Sequence, residues 1–281
     1  MGMQKTFNFE KWNQHVGNVI SGIDTPAALS SMLDGIADIV PFELWYVAFY
    51  RRDAPPIEIA YSYSDTDREN YVEGPYLLDP FYNAYIENTI EPGCHAMRDL
   101  APSDFKSTDF FQQYYAPWGP GNEVAFILPV DDETAAHVSI TRRGKGVRFL
   151  SSEMRTLNQM VPLVKAVMGR VWDRMRPEIQ SSDRFNIDFH VRMTQAFRMF
   201  GTSVLTDRES EIAHFLLKGH SAKSIARLLD ISPGTVRNHM KSIYAKLEIS
   251  SQSELFGLFF EALSHAGGDI TSDPLSFMQT S

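Results

Sequence analysis

Through the last third of the chain, apolar residues recur at helical spacing, and each recurrence is bracketed by start and stop signals. Thr206-Asp207-Arg208-Glu209 is a capping box, in which the hydroxyl accepts a backbone N–H one turn on and the carboxylate reaches back. Behind it Ile212, Phe215 and Leu216 form a stripe, and Gly219 stands where a left-handed residue ends a helix. Ser221 caps a short second helix whose inward residues read as Ile225, Leu228 and Leu229. Asp230 and Ile231 make a tight connection to Ser232-Pro233, a capping hydroxyl followed by a proline where no N–H is needed. Val236, Met240, Ile243, Tyr244 and Leu247 share one face of a third helix, leaving Arg237, Asn238, Lys241 and Ala245 on others. A fourth helix after Ser253 carries Leu255, Leu258, Phe259 and Ala262 on one side and Phe256, Phe260 and Leu263 on an adjoining side. Either its own domain buries this surface or a second copy of the helix does. The pattern predicts an all-α four-helix helix-turn-helix domain over residues 202–265.

The earlier part of the chain changes period. Residues 8–20 and 25–40 read as amphipathic helices, followed by the aromatic, β-rich runs Leu44–Tyr50 and Ile57–Tyr63. Val124–Val130 and Ala136–Thr141 make a second strand pair around the turn-prone Asp131-Asp132-Glu133, and a long helix extends from Ser152 to about Met175. Helices flanking an antiparallel sheet give an α+β fold, an α/β/α sandwich over residues 1–176. Pro177–Asp183 reads as a polar linker before a connecting helix at about 187–199, so that residues 177–201 join the two domains. The Gly-, Ser- and Asp-rich tail, 266–281, is expected to lack fixed structure.

Composition narrows the chemistry. A net charge of -9 argues against a nucleic-acid binder when the chain is taken whole, yet from Ser232 to Leu247 the charged residues are Arg237, Lys241 and Lys246 alone. Arg grips guanine with two hydrogen bonds and Asn does the same with adenine, so the third helix carries side chains suited to base edges of double-stranded DNA. Cys94 is the one cysteine, which excludes an internal disulfide and a cysteine-based metal cage. With no apolar run for a signal peptide or membrane span, the expected location is the cytoplasm, away from membranes. The chain lacks a G-x-S-x-G elbow, a phosphate-binding glycine loop and H-E-x-x-H, so neither enzyme nor cofactor is indicated.

The segment LTDRESEIAHFLLKGHSAKSIARLLDISPGTVRNHMKSIYAKLEI resembles the DNA-binding domain of LuxR-type (LuxR/FixJ) transcriptional regulators over about 203–264. The resemblance rests on Leu205-Thr206 with Arg208-Glu209, Gly219, Ile225-Ala226, Ile231-Ser232, Thr235-Val236, His239 and Lys246-Leu247. It departs at Ala222-Lys223-Ser224 and at Gln252, where the family often has Asn-Lys-Glu and Arg. The resemblance implies that Arg237, Asn238 and Lys241 face base edges, that Ser221, Lys223, Ser232, Thr235 and Lys246 lie near the phosphate backbone, and that a homodimer reads a palindromic operator.

In the first domain, YVEGPYLLDPFYNAY sets several aromatics around Asp79-Pro80, and a second aromatic group reaches Trp118. Small organic ligands take mostly apolar pockets with few oriented polar groups. The candidate pocket residues are therefore Asp79 with Tyr46, Tyr61, Tyr63, Tyr71, Tyr82 and Trp118. Asp79-Pro80 downstream of Tyr71 is similar to the autoinducer-binding domain of LuxR-type quorum sensors, in which the aspartate takes the amide proton of an acyl-homoserine lactone. That family also carries a Trp ahead of the Asp-Pro, whereas this chain has none between Trp45 and Trp118. The implied ligand is a lactone of this class or another small metabolite bearing an amide or amine. Two alternatives stay open. Asp79 before Pro80 is equally a helix cap, and the regulator could answer to protein contact or phosphorylation with no diffusible ligand. His137, inside a strand, reads as a satisfied sheet residue rather than a ligand contact.

Arg237→Ala is expected to cost about 1 to 3 kcal/mol on a specific site, and Lys246→Ala to weaken all sequences alike. Electrophoretic titration against specific and scrambled duplexes measures both.

Overall fold

The computed structural model describes residues 8–52, 54–63, 75–101, 105, 111, 122–143, 148–182, 184–265 and 272–278. Strands β1 (Leu44–Arg51), β2 (Ile57–Tyr61), β3 (Gly93–Ala96), β4 (Glu123–Pro129) and β5 (Thr134–Thr141) form a five-stranded antiparallel sheet in the order β2-β1-β5-β4-β3. The β4–β5 hairpin closes where Asp131 accepts the Glu133 N–H, a local bond typical of an aspartate turn. β5 pairs along its full length with β1, from Leu44 opposite Thr141 to Arg51 opposite Thr134.

Because side chains alternate across a strand, the two faces of this sheet have separate compositions. Val47, Phe49, Val124, Phe126, Leu128, Val138 and Ile140 point to one side. There they meet Met32, Leu33 and Ile36 of α2 (Ala27–Ile39), Val19 of α1 (Phe9–Ser21), and Leu157, Val164, Val167, Met168 and Trp172 of α5 (Ser151–Ser182). The other side carries Tyr46, Ala48, Tyr50, Ala125, Ile127 and Ala135. It is covered by a 3-10 turn at Pro75–Leu78, by α3 (Pro80–Ile86) and by α4 (Met97–Leu100). The result is the α/β/α sandwich expected from the sequence.

Among the described residues, several polar contacts fasten α5 to the sheet, Trp172 Nε1–H donating to Asp131 in the β4–β5 turn (2.7 Å) among them. Arg142, at the end of β5, makes a two-pronged ion pair with Glu153 (3.0 and 2.8 Å) and also donates to the carbonyls of Pro41 and Arg148. On the outer side of edge strand β3, the Asn158 carboxamide accepts from Cys94 N–H (3.0 Å) and donates to Cys94 C=O (3.1 Å). It thereby occupies backbone groups that an unprotected edge would offer to another strand.

The connection differs from expectation. Where Pro177–Asp183 reads as a linker, α5 continues through Pro177 to Ser182, and α6 (Arg184–Met199) follows, with Asp183 outside the described residues. A proline inside a helix removes one bond to the carbonyl four residues back. Pro162 and Pro177 both lie on the solvent side, as do Asn158 and Asp173 whose carbonyls lose that bond, so water can satisfy them.

The second domain contains α7 (Asp207–Leu217), α8 (Ala222–Leu228), α9 (Pro233–Lys246) and α10 (Gln252–His265). Phe197 and Phe200, at the end of the connection, meet Phe259 of α10 edge-on and carry α6 into this core. The tail is not without structure: α11 (Leu275–Met278) forms, and Leu275 is buried. The reason is Asp273, a buried carboxylate that accepts from the N–H groups of Gly201, Ser203 and Leu275 and from the Ser203 hydroxyl. These bonds clamp the tail to the loop before α7. Among the described residues, no helix is long and apolar enough to cross a membrane.

Arg142→Met leaves the Glu153 carboxylate half-buried beside orphaned carbonyls and is expected to destabilise the chain by about 3 kcal/mol, the scale for breaking a buried pair. Urea denaturation followed by tryptophan fluorescence gives the value.

Candidate nucleic-acid interface and ligand face

The DNA-facing geometry begins with caps. Thr206 and Glu209 form the reciprocal capping box of α7, Ser221 caps α8 by accepting from Ser224 N–H, and Ser232 caps α9 by accepting from Thr235 N–H (3.0 Å) with Pro233 next. Gly219 adopts φ +83, and the turn between α8 and α9 places Asp230 at φ +51, a left-handed conformation that aspartate tolerates better than most residues. Ile225, Ala226, Val236, Ile243 and Leu247 are buried, with Met240 and Tyr244 half-buried. Leu228 departs from its expected inward position and is 54% exposed, because the seven-residue α8 ends there and Ala226 takes the contact with the neighbouring helices.

Arg237, Asn238, Lys241, Thr235, Ser232, Lys223 and Lys246 all lie on the exposed surface, with Ser221 half-buried at its cap. Among the described residues, Arg237, Asn238, Lys241 and Lys223 make neither an ion pair nor a hydrogen bond through their side chains. Lys246 is different: its ammonium lies 2.6 Å from the Glu209 carboxylate. Glu209 is buried and also accepts from Ser242 Oγ (2.6 Å), Thr206 N–H and Thr206 Oγ1. The hydrogen bond from Lys246, those from Ser242 and the Thr206 backbone, and the smaller one from the Thr206 hydroxyl hold the Glu209 carboxyl down at about 2. This carboxylate therefore ties the start of α7 to the end of α9 and sets the angle at which α9 is presented. Sequence alone showed its part in the cap and missed its part in the junction, because Ser242 and Lys246 are remote in sequence.

On the ligand side, Asp79 is 2% exposed and caps α3, its Oδ1 accepting from Phe81 N–H (2.8 Å). Its Oδ2 lies 3.4 Å from the Tyr50 hydroxyl, so one carboxylate serves the helix and the aromatic cluster together. Tyr82 packs edge-on against Tyr50 and Tyr76, while its hydroxyl donates to Arg51 C=O. Tyr46 and Tyr61 stand opposite each other on β1 and β2, and Tyr63 meets Thr141 through their hydroxyls (3.2 Å). Tyr71 and Trp118 lie outside the described residues.

The residue that the sequence misjudged is His137. Its ring stacks on Tyr50 (4.4 Å between centroids, 13° between planes) and faces Tyr46 and Phe81, yet neither ring nitrogen has a hydrogen-bond partner among the described residues. Burial pushes its pKa down to about 3, so the ring is neutral. Ser139, two residues along on the same face, is likewise buried, and its hydroxyl has no hydrogen-bond partner among the described residues. A buried polar group left so costs about 1–3 kcal/mol, which a structural residue would not retain without return. The signal available in the sequence was parity: His137 and Ser139 share the strand face that Ala135 occupies, opposite Val138 and Ile140.

Among the described residues, an ion pair crosses between the domains. Glu87, just past α3, pairs with Lys218, just past α7 (2.5 Å).

Comparison with known proteins bears on the family of the second domain and on the fold of the first. Residues 203–259 match the model for bacterial regulatory proteins of the luxR family. An HTH-type transcriptional regulator of the exeN 3′ region in Aeromonas salmonicida is 31% identical over 68% of this chain and 98% of its own length. The monoamine regulon transcriptional regulator of Klebsiella aerogenes is 26% identical over 82% of this chain and 88% of its own. The solved LBD domain of VqsR from Pseudomonas aeruginosa, 23% identical, covers 57% of this chain and 96% of that domain with a TM-score of 0.50, and so shares the fold. These relatives are transcriptional regulators, not enzymes.

Glu209 returns to its ordinary value of 4.5 in the unfolded chain, so its contribution to stability is complete above about pH 5 and is lost as the pH falls toward 2. Glu209→Gln is expected to lower the melting temperature at pH 7 and to flatten its fall between pH 5 and pH 3 relative to the parent chain. Calorimetric scans across that range check both.

Proposed function

The chain belongs to the luxR family of bacterial regulatory proteins, and on that footing we propose that it is a ligand-responsive regulator whose homodimer reads a palindromic operator through α9. The observation that carries the DNA half is the outward face of α9. Arg237, Asn238 and Lys241 are exposed there, uncommitted to any described side chain, on a stretch from Ser232 to Leu247 without an acidic residue. Lys223, Thr235, Ser232 and Ser221 flank it as backbone contacts. Lys246 acts chiefly through Glu209, by fixing how α9 sits. Pairing is assigned to α10, on which Leu258, Phe260 and Leu263 stay half-buried while Leu255, Phe256 and Phe259 fill its own domain.

The ligand half rests on Asp79. A buried carboxylate oriented by a helix N-terminus toward an aromatic cluster suits a small molecule with an N–H group, either an amine or the amide of an acyl-homoserine lactone. The name of the Klebsiella relative favours the amine. Ligand binding changes DNA affinity by as much as the ligand distinguishes the DNA-competent state from the other.

Thermal shift of the full chain against aromatic and aliphatic amines and against acyl-homoserine lactones tests the ligand half. A true ligand at a hundred times its Kd stabilises the protein by about 2.7 kcal/mol, and Asp79→Asn is expected to abolish the shift. No shift with any of these compounds would favour control by protein contact or phosphorylation instead. For the DNA half, Lys223→Ala is expected to reduce the salt slope of binding by about 1 without changing sequence preference, measured by fluorescence anisotropy across a potassium chloride series.

A further inference from the structure

The sheet face beneath α3 is shaped differently from its reverse. Its reverse side fills the centre of β1, β4 and β5 with Val47, Phe49, Val124, Phe126, Val138 and Ile140. On the α3 side His137 lies across from Ala48 on β1 and Ile127 on β4, and Ser139 across from Tyr46 and Ala125, with Ala135 beside them on β5. Ala48, Ala125 and Ala135 thus carry less side chain beside the buried imidazole than the residues of the reverse face do. That ring is walled by Tyr46, Tyr50 and Phe81. A neutral imidazole presents one donor and one acceptor, and neither ring nitrogen is used by the described residues.

We propose that His137 is a second anchor in the ligand site, where it hydrogen-bonds a neutral hydroxyl on an aromatic amine whose nitrogen is held by Asp79. The inference rests on the amine reading of Asp79 given above. A hydroxyl is the matching group because it both donates and accepts, as the neutral ring does. A carboxylate would demand an imidazolium, and burial among aromatic rings opposes that charge. Tyr50 places the two anchors within reach of one small molecule, since its hydroxyl lies 3.4 Å from Asp79 while its ring stacks on His137. A site built to bond a hydroxyl discriminates against the analogue that lacks it, because the ring is then left unpaired. His137 is thus a specificity-determining residue.

Titration calorimetry of the full chain with 2-phenylethylamine and with its 3-hydroxy and 4-hydroxy forms tests this. At least one hydroxylated amine is expected to bind about tenfold tighter than the parent amine, a difference of about 1.4 kcal/mol. In His137→Leu, and in His137→Phe should the leucine variant fold poorly, that preference is expected to shrink to within about twofold. The ligand-free melting temperature of the variant is expected to equal or exceed that of the parent chain, because an unpaired buried polar group has been exchanged for an apolar one. Persistence of the hydroxyl preference in the variants overturns the proposal, as does a lowered ligand-free melting temperature in both, which marks His137 as structural. Equal binding of all three amines by the parent chain overturns it while leaving the amine reading of Asp79 in place. Failure of all three to bind removes both.

Discussion

Every residue of β5 is buried, and the alternation of its side chains governs what both layers of the first domain become. Ala136, Val138 and Ile140 meet α2 and α5 and make an ordinary core. Ala135, His137 and Ser139 turn the other way, toward an aromatic layer held by α3. A strand in this position cannot slip by one residue without driving a histidine and a serine into the helical core, so register and site are fixed by the same constraint. The Arg142–Glu153 clamp at the end of β5 holds that register against α5.

The second domain solves a related problem with a charge. Its helices are short, and α8 has seven residues. Helices of this length are marginal alone and depend on caps and on one another. Glu209 supplies both, closing the capping box of α7 while holding Ser242 and Lys246 on α9. A buried carboxylate with several donors is costly to disturb, which suits a junction whose angle decides what α9 presents to a partner.

Legibility in the sequence tracked distance along the chain. The helix-turn-helix was readable almost whole, because a capping hydroxyl, a stop glycine and a Ser-Pro restart act within one turn of the residues that reveal them. Leu228 was misplaced since the pattern cannot show where a short helix ends against its neighbours. The linker at Pro177 failed for a different reason: a proline on the wet side of a long helix costs too little to stop it. Residues 272–278 of the tail were misread because Asp273, which helps to order them, finds partners about seventy positions earlier, at Gly201 and Ser203. On the α3 side of the sheet, Asp79 declared itself as a cap through the local Asp-Pro signal. Tyr50, Phe81 and His137 meet only once β1, β5 and α3 are assembled.

The Glu87–Lys218 pair sets a limit on communication. α3 starts at the Asp79 cap and ends beside Glu87, a strut of about 10 Å at the usual helical rise. A ligand that displaces one end of this strut must strain or release the ion pair at the other. Both partners are solvent-accessible, and such a bridge is worth at most about 1 kcal/mol. Through this contact alone, a ligand held in the first domain would change DNA affinity by no more than a factor of about five. Any steeper response would have to travel by a different road, and the nearly continuous run of α5 and α6 offers one, since a tilt at its sheet end is carried whole into the second core.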